Sequence, residues 1–105
     1  MGRGADVSPH LRFDDRDLGA FCRRNHIRQL SFFGSVLRED FGPESDIDVL
    51  VEFEEGHTPG LGFVRMRDEL SAMFGGRRVD LVTKRALNPL IRDRILRDAE
   101  IRYAA

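Results

Sequence analysis

Two hydrophobic rhythms divide this chain. Ile27 to Phe33, IRQLSFF, reads as a β-strand that ends at Gly34-Ser35. A period-2 alternation of apolar and polar residues runs from Asp46 to Phe53. There Ile47, Val49, Val51 and Phe53 point one way, and Asp46, Asp48, Leu50 and Glu52 the other. A third strand, Arg77 to Thr83, puts Val79 and Leu81 on one face and Asp80 and Val82 on the opposite one. Elsewhere the spacing is helical. Asp14 or Asp15 can cap a first helix that carries Leu18, Phe21 and Cys22 and ends near Asn25. Phe63, Met66, Leu70, Met73 and Phe74 form the core stripe of a second helix, Leu61 to Phe74, stopped by Gly75-Gly76. Asn88-Pro89 opens a last helix, Leu90 to about Ala99. Its apolar Leu90, Ile91 and Ile95, with Ile101 beyond, suit packing on the sheet or on a partner equally well.

Between these elements lie a helical turn from Ser35 through Arg38, a turn at Phe41-Gly42-Pro43-Glu44, and a loop from Glu54 to Gly60. The predicted order is α-β-β-α-β-α. The fold class is α/β (α+β), a mixed β-sheet with helices on one face and an open acidic face. Residues 1–12, small and polar, are expected to be a flexible N-terminal tail, and 13–105 a single domain.

Composition narrows the choices little. With 17 basic and 18 acidic residues in 105, the net charge is −1, so no basic excess points to nucleic acid. No apolar run nears the ~18 residues of a membrane span. Cys22 is the sole cysteine, which rules out an intrachain disulfide framework and makes a reducing cytoplasm the simplest setting. Met1-Gly2 is followed by Asp6 where N-myristoylation wants Ser or Thr. His10 and His26 have no ligand spacing with cysteine or another histidine, so the sequence implies no zinc site. His57, in a Gly/Pro loop, reads as an exposed histidine or as a contact to a base or partner.

The chemistry concentrates in FGSVLREDFGPESDIDVLV, Phe33 to Val51. Asp46 and Asp48, two apart on a strand, project from one face. Asp80 joins them if its strand pairs alongside. Three gathered carboxylates repel one another, and burial worsens the repulsion. A hard divalent cation such as Mg²⁺ relieves it, because Mg²⁺ favours oxygen ligands. Two such ions ~3.5–4 Å apart can clamp the oxygens of a phosphoryl displacement. Gly34 lets backbone approach a phosphate, and Ser35 offers a hydroxyl and an N–H at the start of a helical turn. Arg38 could add charge beside a triphosphate; an ordinary surface arginine would look the same.

Gly-Ser, ten residues, then Asp-x-Asp resembles the signature of the DNA polymerase beta-like nucleotidyltransferase superfamily, and RRVDLVT looks like its third-acid strand. The short length and the segments GHTPGLGF and IRDRILRDAEIRYA resemble the minimal nucleotidyltransferases, the MNT or MntA-type antitoxins. The resemblance spans about Ile27 to Ala105. It implies that Asp46, Asp48 and Asp80 are the catalytic and metal residues, holding two Mg²⁺ ions. It implies that Gly34, Ser35, Arg38 and Ser45 bind the ATP substrate. Glu39 stands where many relatives carry glycine, which bears on the loop and not on the metal site. The resemblance further implies transfer of AMP to a hydroxyl, notably tyrosine, of a small helical HEPN-type toxin partner. Two alternatives are an antitoxin that neutralises by docking, and a nucleotidyltransferase acting on a small hydroxylated acceptor. Nucleotide preference, the acceptor residue and the oligomeric state are not legible.

Overall fold

Asp14 starts the first element by accepting the backbone N–H of Arg16 at 2.7 Å, a cap that stabilises a helix by about 1 kcal/mol. Helix α1, Asp15–Arg24, has Asp15 and Asp17 in its first turn and Arg23 and Arg24 in its last, matching the helix dipole. Leu18, Phe21 and Cys22 are buried, and Asn25 ends the helix. The computed structural model describes residues 11–38, 42, 44–57 and 59–105.

The chain continues through strand β1, Ile27–Phe33, and a 3₁₀ turn, Gly34–Leu37. Then come β2, Ile47–Phe53; α2, Gly62–Met73; β3, Val79–Thr83; a second 3₁₀ turn, Lys84–Ala86; α3, Pro89–Asp98; and β4, Glu100–Ala104. The four strands form one sheet in the order β3-β2-β1-β4. β1 is antiparallel to both β2 and β4, whereas β2 and β3 are parallel. A parallel pair needs a crossover connection, and α2 supplies it. Residues Ile47, Val49 and Val51 are fully buried in one cluster with Leu18, Phe21, Met66 and Leu70 of α1 and α2. Fully burying a side chain of this kind is worth roughly 1.5–3 kcal/mol, so this layer is the main source of stability. Phe13, Phe32 and Phe74 meet within it, with ring centroids 5.4–5.8 Å apart.

The sequence order omitted β4. Residues 100–104 have no element of their own in that order, but Ala99 turns to extended backbone at ψ 143° and a strand follows. Tyr103 then pairs with Leu30 on the free side of β1. Arg102 fastens this strand to α1, with its guanidinium 2.9 Å from Asp15 and stacked over Phe13. The tail expectation also needs adjusting at Leu11, which is only 7% exposed and belongs to the core. Residues 1–10 lie outside the described residues, as do Glu39, Phe41 and Pro43 of the predicted loop and turn.

α3 has no fully buried residue. Leu96 shares a cavity of about 200 Å³ with Gln29, Ser31, Leu50, Glu52 and Lys84. Leu50 is 5% exposed although it lies on the same strand face as Asp48. The outer side of α3 leaves Leu90 91% exposed. The end bearing the aspartates is open, with Asp46 50% exposed and Asp80 exposed as well.

Candidate active site

Asp48 and Asp80 are direct partners across the parallel pair, each the second residue of its strand. Asp46 comes just before β2. Burial raises the Asp48 carboxyl above its ordinary value, and the charges of Asp80 and then Asp46 push the same way. The backbone N–H of Ser35 and the charge of Arg38 oppose the rise without cancelling it. This is the uncompensated repulsion that a shared cation would remove.

Gly34 owes its identity to Asp48. Phe33 pairs with Asp48 at the end of the β1–β2 ladder, so the next residue passes over the carboxylate. Gly34 has φ +74°, and a Cβ there would fall 2.3 Å from Asp48 Oδ2. Both the backbone conformation and the space exclude a side chain. Ser35 follows. Its hydroxyl donates to the Asp46 carbonyl at 3.1 Å, so the Gly-Ser turn is tied to the acid strand by both of its residues. The Arg38 N–H closes the turn on the Ser35 carbonyl at 2.9 Å.

Ser45 has a local task. Its hydroxyl accepts the Gly42 N–H at 3.1 Å, and its own N–H donates to the Gly42 carbonyl at 3.1 Å. Its side chain thus closes the turn that delivers Asp46.

Two arginines complete the surroundings. Arg77 donates to the carbonyls of Gly42 and Ser45, the latter at 3.2 Å, pinning that turn to the start of β3. Arg78 Nε donates to Asp46 Oδ1 at 3.0 Å. Asp46 therefore already has a cationic partner, with which a metal would compete. Arg78 is 83% exposed, and a pair so open to water contributes about 0–1 kcal/mol. Releasing Asp46 towards a cation is therefore cheap, and the hard-oxygen donor set fits Mg²⁺. Sequence reading passed over both arginines. Their signal was the RR doublet before VDLVT, uninformative until β3 is known to lie beside β2, where the Ile47 N–H meets the Arg78 carbonyl at 2.9 Å.

A second cluster was missed altogether. His26, Glu54 and His57, at the other end of β2, bring their ligand atoms within 4.8 Å of one another.

The chain belongs to the nucleotidyltransferase domain family, whose sequence model matches residues 16–102. The protein adenylyltransferase MntA of Thermococcus cleftensis is 40% identical over 73 residues, 69% of this chain and 71% of that protein. A solved chain described as "Structure of putative minimal nucleotidyltransferase" is 38% identical, with a TM-score of 0.68 over 81% of this chain and 85% of its own. A toxin-antitoxin crystal structure with AMP-PNP shares the fold, with a TM-score of 0.70 at 17% identity over 89% of this chain and 75% of that one. Among the described residues, no helix is long and apolar enough to cross a membrane.

Proposed function

We propose that this chain is the antitoxin of a toxin–antitoxin pair, and that it transfers AMP from ATP to a hydroxyl, notably a tyrosine, of a HEPN-type toxin. The observation that carries this reading is the facing of Asp48 and Asp80 across the parallel pair, with Gly34 pressed on Asp48. The adenylyltransferase name of the Thermococcus relative supports the transferred group. The fold shared with a toxin-antitoxin structure that holds AMP-PNP supports partner and nucleotide.

Two Mg²⁺ ions held by Asp46, Asp48 and Asp80 would supply charge neutralisation for the triphosphate. The remaining steps belong to the chain. Gly34 and Ser35 seat the phosphates beside Asp48, because there the backbone can approach without a side chain between. Arg38 contributes positive charge on the same side, as its effect on Asp48 indicates. The acceptor oxygen attacks the α-phosphorus while the bond to the β-phosphate oxygen breaks, and pyrophosphate leaves. Asp80, 2 residues into β3 and exposed, takes the hydroxyl proton. Ser45 and Arg77 hold the turn that sets Asp46.

The docking alternative draws on a different observation. Leu90 and Ile91 of α3 and Ile101 of β4 are exposed at 91%, 44% and 53%, a surface that a helical partner could cover. One experiment separates the readings. The chain and its toxin are incubated with Mg²⁺ and ATP labelled at the α-phosphate, using wild type and Asp48→Asn. Label on the wild-type-treated toxin alone, with toxin activity lost only there, is the expected result. Equal neutralisation by both, with no label, would overturn the enzymatic reading in favour of docking.

A further inference from the structure

We propose that His26, Glu54 and His57 form a second metal site, distinct from the aspartates, for a borderline divalent cation of the zinc class. His26 occupies the turn between α1 and β1, Glu54 the residue after β2, and His57 the loop beyond. The β1–β2 ladder, which begins with Ile27 opposite Phe53, brings them together. Their backbones are tied: the Glu54 N–H donates to the His26 carbonyl at 2.8 Å, and the His57 N–H to the Glu54 carbonyl at 3.0 Å. The two imidazoles stack with centroids 3.9 Å apart and planes 13° from parallel. His26 Nδ1 lies 3.7 Å from Glu54 Oε1.

These distances suit a ligand set about to close. A tetrahedral zinc with bonds of ~2.0–2.1 Å holds its ligand atoms about 3.4 Å apart. The observed atoms lie within 4.8 Å of each other, and closing the set requires the stacked imidazoles to swing apart so that their in-plane nitrogens converge. His₂Glu leaves a fourth position for water or a small ligand, and a pocket of about 250 Å³, lined by Arg24, Asn25, Gly56 and Pro59 as well as both histidines, lies beside it. Arg24 is the nearby cation among those lining residues, and it is paired to Glu69 at 2.6 Å, which blunts its repulsion of a metal. His26 has φ +57°, but a residue after a helix C-cap adopts that conformation ordinarily, and it adds nothing to the case.

Ligand chemistry separates the two sites. Imidazole nitrogen suits zinc, cobalt and nickel, while Mg²⁺ takes oxygen. From Asp48 to Glu54 the extended strand covers about 20 Å at ~3.3 Å per residue. The proposal is thus independent of the transfer reaction. A bound metal would clip the α1–β1 turn to the loop after β2.

The test uses tag-free, chelator-stripped protein in excess Mg²⁺, titrated with Co²⁺. Wild type should develop the strong visible bands of four-coordinate cobalt at one equivalent, and Zn²⁺ should erase them. Asp48→Asn should keep them. His57→Ala, a change in an exposed loop, should lose them and bind Zn²⁺ about tenfold more weakly or worse. Glu54→Gln, with circular dichroism as the folding control, should weaken binding too. Wild type without such bands, or bands that survive His57→Ala, would overturn the site, as would their loss in Asp48→Asn.

Discussion

Gly34 stands so close to Asp48 that a β-carbon at position 34 would lie 2.3 Å from the carboxylate oxygen. The turn and the acid are therefore one mechanical unit, and neither can change without moving the other. Gly34→Ala should cost roughly 1–2 kcal/mol for the left-handed backbone alone, and more through displacement of Asp48. Urea unfolding should register the loss. AMP transfer should fall more than tenfold, since a small misplacement of a reacting group is expensive.

Asp48→Asn should abolish transfer while leaving the metal-free protein as stable as wild type or more so, because it removes a charge held among like charges. The sign follows from the raised carboxyl. A raised acid pKa favours the protonated native form. The carboxylate's cost is thus absent below the ordinary 3.8 and grows as pH rises through the higher folded value. Melting temperatures with chelator present should show wild type losing stability across that interval, with a flatter curve in the variant. Identical curves would contradict the assignment.

Arg78→Ala should free Asp46. The pair is 83% and 50% exposed, so stability should change by less than about 1 kcal/mol. Mg²⁺ affinity, followed by calorimetric titration, should rise by up to ~5-fold. A fall in affinity would mean that Arg78 orients Asp46 for the cation and does not compete with it.

Arg77→Ala should act on the opposite side of the ledger. Its guanidinium holds the Gly42 and Ser45 carbonyls, and charged hydrogen bonds are worth ~1.5–3 kcal/mol. Denaturant midpoints should drop accordingly, and transfer should weaken because Asp46 loses its anchor.

Cys22 is fully buried, and burial pushes its thiol up to about 12. A thiol reagent should label the native chain far more slowly than the unfolded chain at pH 8. Labelling rates should follow global opening and accelerate with urea. Fast native labelling would show that the α1 layer opens locally.

Much of this was readable from the amino acids. Ile27 to Phe33 reads as a strand that stops at Gly34-Ser35, and the strand begins and ends there. The Asp-x-Asp spacing exposed the acids because one strand face carried Ile47, Val49 and Val51. β4 was not readable. Arg97 to Ala104 holds no glycine or proline to mark the end of α3, and Ile101 fits a helical stripe as well as a strand. Its state was decided by the open edge of β1, a tertiary effect that outweighs local preference. His26 and His57 stand 31 positions apart, and nothing local links them. The pairing of Ile27 with Phe53 does.

The order β3-β2-β1-β4 gives the acid-bearing β2 a neighbour on each side. Opening Asp48 or Val49 to solvent means unzipping two ladders at once. Backbone amides there should rank among the slowest to exchange with deuterium in the molecule. An acid such as Asp48, mounted on so immobile a keel, can be swapped for a neutral group without capsizing the hull.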